Sequence, residues 1–547
     1  MSPTSRPPPA RATITDAILW LVVPLGALWW LHVGGLSGDG VAQSSLYTRG
    51  TWAINPNHLL YEPIGSAWLS ISHGLGDGVA IDQLKRLSFL GGALTAVLFR
   101  LLVAPRIATT RSEANIATAW IMAPAAVLGL LLSDETQIIQ LPSLVLMVAA
   151  IIHYAMHPTV RRAVLVGAAG AVATLFYISN ALTCAAVVLV LGIVSAARGN
   201  KTDGLKAVLA AAGGGAAVLL PVTFGAWYWF TPRTISFGYW LTSYGGGRAI
   251  QTGAAGYGTQ LSAKDIGTAA VRAVYGAANA LVDVSGAVSS VRDTGRLGAG
   301  SLMSVIVLLV CAGLVVAMVV YAVRNTDPTT KLWLLPLVVG WTAGVVVFAI
   351  YWNNSDDQFF FQLAIPLAVT AAVALRAHRR PVLLALALLV GWNGYRTAWR
   401  YITYPRDHYV AALTRESNET SLLIFPGDDE VGALLSFVPT PPGHRRLAIT
   451  TIADRLPARK GVAALRDSVM QVLQHRGTVS VVSIIDAPAD QNPWKYLRSL
   501  GYEHSTVNRT LSRSGTLCQR HTVGAWPARW IVPEPIATGC PGARGTR

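Results

Sequence analysis

Charge is scarce in this chain: 13% of its 547 residues are Asp, Glu, Lys or Arg, against about 25% in an average soluble protein. A single water-soluble domain is excluded. Cysteine is scarcer still, four residues in all, too few for a scaffold built on disulfides. Cys184 and Cys311 fall inside apolar runs, whereas Cys518 and Cys540 lie where an oxidising compartment would permit a bridge. No phosphate-loop or dinucleotide fingerprint follows any predicted strand, so nucleotide chemistry has no evident site. The apolar runs show neither repeated halves nor ionisable groups in their interiors, which are the marks of a transporter.

What is present is apolar sequence, 52% of the chain. It is gathered into about eleven runs, each long enough to cross a ~30 Å hydrocarbon layer. They lie near residues 15–34, 84–104, 114–132, 138–156, 162–178, 181–197, 207–230, 300–323, 332–352, 358–375 and 381–399. The chain therefore reads as an α-helical polytopic membrane bundle. Its net charge of +16 could suggest nucleic acid, but the basic residues sit in short loops between alternate runs, as the positive-inside rule requires. We read no nucleic-acid partner from it.

Placing the N-terminus in the cytoplasm gives inner loops carrying Arg106 and Arg111, Arg161 and Arg162, Arg198, Lys201 and Lys206, Arg324 and Lys331, and Arg376, Arg379 and Arg380. The short outer loops near 133–137, 179–180 and 353–357 carry no Lys or Arg. This alternation predicts a multi-pass protein of the cell membrane, with a cytoplasmic leader over 1–14 and a membrane domain over 15–403. Outer loops are predicted at 35–83 and 231–299, and an odd number of spans sends residues 404–547 to the extracytoplasmic side. From Ser421 short β-branched runs at 422–425, 447–452 and 479–485 alternate with helical stretches near 429–437, 460–475 and 493–500, an α/β layout of three layers. The acidic loop Asp428-Asp429-Glu430 is read as a helix cap.

Acidic residues gather at the predicted outer boundary. Asp39 follows the first span, Asp134 and Glu135 fill the second outer loop, and Asp356 and Asp357 precede the Phe359-Phe360-Phe361 run. Carboxylates so close to lipid are costly unless they cap a helix or face a cavity. The first outer loop also holds Asn57-His58-Leu59-Leu60-Tyr61 ahead of an amphipathic stretch, predicted to form an interfacial helix near 57–73. Within 231–299, Ser243-Tyr244-Gly245-Gly246-Gly247-Arg248 is a glycine run ending in a guanidinium, suited to wrapping a phosphate, and Arg233 and Arg272 are further candidates.

A carboxylate just beyond the first span, an extended first outer loop with an amphipathic helix, a second acidic loop and a C-terminal soluble domain together resemble the GT-C superfamily of membrane glycosyltransferases. The stretch at 57–61 is also similar to the histidine-containing loop of actinobacterial and other bacterial members. The resemblance implies an inverting transferase using a polyprenyl-phosphate sugar donor and a glycan or lipid acceptor of the cell envelope. Asp39 would be general base and His58 a site residue. The acidic loops suit a divalent metal, Mg or Mn, although the first loop has neither an Asp-x-Asp pair nor an Asp-Glu doublet at Asp39. The alternatives are a transporter or lipid flippase and a non-catalytic envelope scaffold.

Overall fold

The computed structural model describes residues 14–30, 58–73, 80–133, 136–231, 236–242, 263–287, 291, 296, 298–351, 357–427, 430–435, 437–453, 456–486 and 494–533. These residues fall into two compact units, 14–403 and 404–533.

The first unit is helical. Each apolar run predicted as a span is helical where described, but the length and apolarity needed to cross a membrane are met by fewer of them than the predicted count of about eleven. Among the described residues six helices qualify: Ala80–Ile107, Gln137–Met156, Asn180–Arg198, Lys201–Phe230, Ala299–Arg324 and Pro328–Ile350. The pair Arg111–Met122 and Ala125–Leu132 makes up to seven if it is one span, bent by 70°. The bend falls at Pro124, whose backbone is extended and which has no N–H to continue the helix. The other runs fall short for visible reasons. The described part of the first run, Ile14–Trp30, and the Val160–Phe176 helix have 17 residues each, and Phe361–Leu375 is also short. The last run begins at Arg379-Arg380 and becomes a π-turn over Gly394–Ala398.

Helices approach closely where side chains are absent. A Cβ on Gly167 would lie 1.7 Å from the Ala211 carbonyl oxygen, and one on Gly214 would lie 2.3 Å from that of Val164. These two glycines let the Val160–Phe176 and Lys201–Phe230 helices pack backbone to backbone.

The predicted spans were read as almost free of charge, and the structure shows what the exceptions do. Asp16 in the first helix is buried and accepts from Arg100, at 2.6 Å, and from Arg111. Arg100, itself fully buried, also donates to Asn115 at 2.9 Å, and Asn115 accepts from Trp20. Arg100 sits on a π-turn, Phe99–Val103. The two ionic partners are separated by 84 positions, and together they fasten the first helix to the second and third predicted spans. Asp16→Asn strands the Arg100 guanidinium in an apolar interior. It is expected to cost about 3 to 5 kcal/mol, read as a lowered thermal-unfolding midpoint in detergent, while Asp407→Asn, at a surface pair, leaves the midpoint unchanged.

The second unit is a mixed sheet between helices. Its strands are β1 (Leu422–Phe425), β2 (Arg445–Ala448), β3 (Val479–Val482), β4 (Thr516–Leu517), β5 (His521–Val523) and β6 (Trp526–Val532), in the order β2-β1-β3-β6-β4 with β5 also on β6. β1 runs parallel to β2 and β3, and β6 is antiparallel to β3. Alternation along a strand sends Leu422 and Ile424 to one face, against Leu465, Val469 and Leu511, and Leu423 to the other, against Leu413 and Leu434. Helices thus cover both faces, as the three-layer reading expects. The run predicted as a strand over 447–452 instead ends as β2 at Ala448 and turns helical over Ile449–Ala453. The Arg406–Glu419 helix and β4 to β6 were not anticipated. Cys184 and Cys311 are free and buried, and Cys518 is disulfide-bonded. Cys540 lies outside the described residues.

Candidate functional site

Of the residues singled out from sequence, Asp39, Asp134, Glu135, Arg233, Tyr244 and Arg248 lie outside the described residues, as does Asp356. His58 and Arg272 are described. Arg272 is exposed on the Ala263–Leu281 helix, whose buried side carries Ala269, Ala273 and Ala280.

The hydrogen bonds sort the loops into two sets. Arg376 donates to the Ile107 carbonyl at 2.6 Å, Arg379 to Ser112 at 3.3 Å and Arg198 to Thr329 at 3.1 Å, so loops read as inner touch one another. Loops read as outer do the same. The Tyr61 hydroxyl donates to the Gln137 carbonyl at 2.9 Å and accepts from Gln140 at 3.1 Å, and Gln140 in turn accepts from Asn180 at 2.7 Å. Ser179 accepts from Gln362 at 3.4 Å. The amphipathic helix of the first outer loop, Tyr61–His73, is thereby tied to the segments that follow the second and third outer loops.

His58 enters this cluster as a stacked ring, with centroids 5.1 Å from Tyr61 and 4.6 Å from Tyr177. Its Nδ1 is buried with no hydrogen-bond partner. Burial pushes its pKa down to about 4, partly offset by the Phe176 carbonyl, so the ring is neutral near pH 7 and supplies packing rather than charge. The unfolded chain takes up this proton near pH 6.5 and the folded chain not until about 4. Stability is therefore full above pH 6.5 and declines as pH falls toward 4. The unfolding midpoint of the wild type is expected to drop on acidification from pH 7 to 4.5, and His58→Phe is expected to flatten that drop.

Beside Ser133, the last described residue before the Asp134-Glu135 pair, lies a polar cavity of about 280 Å³. Its walls come from four separated segments: 125–133, Asn279 with Asp283 and Ser285, Gln358, and Thr397 with Arg400 and Tyr401. Asp283 is buried and rigidly held. Its carboxylate accepts from the Ser285 backbone N–H at 3.1 Å, the Ser285 hydroxyl at 2.6 Å and the Thr397 hydroxyl at 3.2 Å. Its own backbone N–H donates to Asn393, and its carbonyl accepts from Trp392. Asn393 donates onward to the Ala123 and Leu281 carbonyls. Thr397 belongs to a π-turn, a deviation often found at functional sites.

An apolar groove of about 620 Å³ adjoins it, lined by Val315, Val319, Val338, Val346 and Leu367 among others. Three segments contribute to both linings through neighbouring residues: Pro124 lines the groove and Ala125 the cavity, Leu281 the groove and Asp283 the cavity, Phe360 the groove and Gln358 the cavity. Sequence reasoning missed Asp283, Asn279, Thr397 and Arg400. The available signal was the Val282-Asp283-Val284-Ser285 stretch, a lone carboxylate between β-branched residues just after an amphipathic helix.

No family model matches the chain, and no curated protein sequence matches it. Among solved structures, it is similar to the archaeal oligosaccharyltransferase AglB from Archaeoglobus fulgidus in complex with an inhibitory peptide and a dolichol-phosphate, at 12% identity and TM-score 0.48, over 94% of this chain and 73% of that one. It is also similar to ArnT from Cupriavidus metallidurans bound to undecaprenyl phosphate, at 13% identity and TM-score 0.40, over 95% and 99%. A third is the arabinofuranosyltransferase AftD from Mycobacteria, at 17% identity and TM-score 0.36, over 95% and 42%. All three are membrane glycosyltransferases of the GT-C superfamily. At TM-scores below 0.5, none of these likenesses by itself establishes a fold or an activity for the chain.

Proposed function

We propose that the protein is an inverting membrane glycosyltransferase that moves a glycosyl group from a polyprenyl-phosphate donor to a glycan or lipid acceptor of the cell envelope, at the extracytoplasmic face. The observation that carries this reading is an apolar groove of about 620 Å³ and a polar cavity of about 280 Å³ lined by neighbouring residues of the same three segments. A ligand that is hydrocarbon at one end and hydroxyl-rich at the other fits such a pair, because each part meets a lining of its own polarity. The clustering of loops read as outer is consistent with a site on that face, and the tail unit belongs to the same side in this reading.

In the reaction, an acceptor hydroxyl oxygen attacks the anomeric carbon as its proton passes to the Asp39 carboxylate. The bond from that carbon to the lipid-phosphate oxygen breaks, and the electron pair leaves with the phosphate. Asp134 and Glu135, following Ser133 at the cavity wall, would orient the acceptor. Arg248, with Arg233 and Tyr244 of the same long outer loop, would neutralise the leaving phosphate. Arg272 is a further member of that cationic set and His58 a packing residue of the first outer loop.

Among the described residues, no group of three or more His, Cys, Asp and Glu side chains could hold a metal. Both Asp283 oxygens already accept hydrogen bonds. Ligands for Mg or Mn would have to come from Asp39, Asp134 and Glu135, and no step above depends on such an ion.

The test is transfer from radiolabelled polyprenyl-phosphate sugars in membranes. Asp39→Asn is expected to lose about 10²- to 10⁴-fold in rate, Asp134→Asn and Arg248→Ala less. Incorporation equal to wild type in all three variants would overturn the assignment. Washing the membranes with EDTA and adding back Mg or Mn reports metal dependence.

A further inference from the structure

Asp283 and the cavity around it are not needed for the proton transfer described above. We propose that this cavity receives one monosaccharide ring of the lipid-linked donor, with Asp283 accepting a hydrogen bond from a ring hydroxyl. The group transferred is then a single sugar rather than a preassembled glycan. This inference rests on the proposed glycosyltransferase reading and specifies its substrate.

Size is the first argument. At about 280 Å³, the cavity sits at the low end of the roughly 300 to 1,000 Å³ typical of ligand sites. A single monosaccharide ring is of that order of size.

Lining chemistry is the second. A sugar hydroxyl both donates and accepts, so its site needs groups of each kind. Asp283 accepts only, Arg400 donates only, and Asn279 and Gln358 carry amides, the Asn279 oxygen already accepting from the Val284 N–H at 2.9 Å. A phosphate would be served poorly here, since the single guanidinium of the lining shares the cavity with a carboxylate. Ala125, Ala126 and Leu130 form an apolar wall suited to the C–H face of a ring.

The third argument is the state of Asp283 itself. An ionised carboxylate offers about four lone-pair sites, and Ser285 and Thr397 fill three of them. The remaining site lies on a group held immobile from both sides, so it fixes where a ligand hydroxyl must be. A flexible surface carboxylate could not discriminate in this way.

Binding to the purified full-length protein in lipid nanodiscs tests the inference. The probes are bare polyprenyl phosphate and the same lipid carrying glucose, mannose or galactose. Wild type is expected to bind at least one sugar-bearing lipid more tightly than the bare one. Asp283→Asn is expected to weaken that binding by about 10- to 100-fold while leaving the bare lipid unchanged.

Gly129→Leu provides a second route that leaves the carboxylate network intact. A Cβ at Gly129 meets only ordinary contacts, 3.7 Å to the Tyr401 hydroxyl and 3.8 Å to Thr397, and the longer side chain extends into the cavity. It is expected to abolish the preference for sugar-bearing lipid, and it carries the test alone if Asp283→Asn does not yield folded protein. Unchanged sugar-lipid binding in a folded variant overturns the inference, as does an equal loss for bare lipid, which would mark a phosphate site. Wild type that prefers no sugar-bearing lipid also overturns it. Wild type that binds neither kind of lipid removes the glycosyltransferase reading with it.

Discussion

A polar side chain buried among apolar helices must find its partner inside the protein, because no water is there to replace one. This constraint governs the helical unit. Asp16 is tolerated because Arg100 and Arg111 both reach it, and in satisfying it they fix where the first helix lies against two others. Tyr61, Gln140 and Asn180 obey the same rule with neutral groups. At Asp283, Ser285 and Thr397 satisfy the carboxylate while Asn393 and Trp392 hold its backbone. Helix packing and site construction thus draw on one set of interactions, and the polar residues carry more of the specificity than their number suggests.

How much of this could be read from sequence depended on range. Apolar runs are local, so every predicted span was found helical where described, and the break at Pro124 follows from one residue's lack of an N–H. Among the described residues fewer helices qualify as spans than the runs predicted, because helix length and terminal arginines count against a run as much as its hydropathy counts for it. In the tail, strands with strong β-branched patterns at 422–425 and 479–482 were legible. β4 and β5 have two and three residues, too few for a period to register, and β6 carries Pro527 and Arg529 among its apolar residues.

The candidate site was less legible than the fold. Its cavity draws on four segments separated in the chain, and nothing in the local pattern around Thr397 or Arg400 distinguishes them from other residues at the end of an apolar run. Charged groups drew attention in the sequence, yet Asp283 was passed over because an isolated acid among the scattered charges of a long loop resembles ordinary surface. At His58 the motif suggested chemistry, and the structure adds that its ring stacks on Tyr61 and Tyr177 and is uncharged at neutral pH.

The 70° bend at Pro124 has one further implication. Pro124 lines the apolar groove and its neighbour Ala125 the polar cavity, so the break between the two helices falls where one kind of lining gives way to the other. A continuous helix there would carry its backbone hydrogen bonds straight past this change. The switch in polarity is therefore set beside the one amino acid that cannot donate from its main chain.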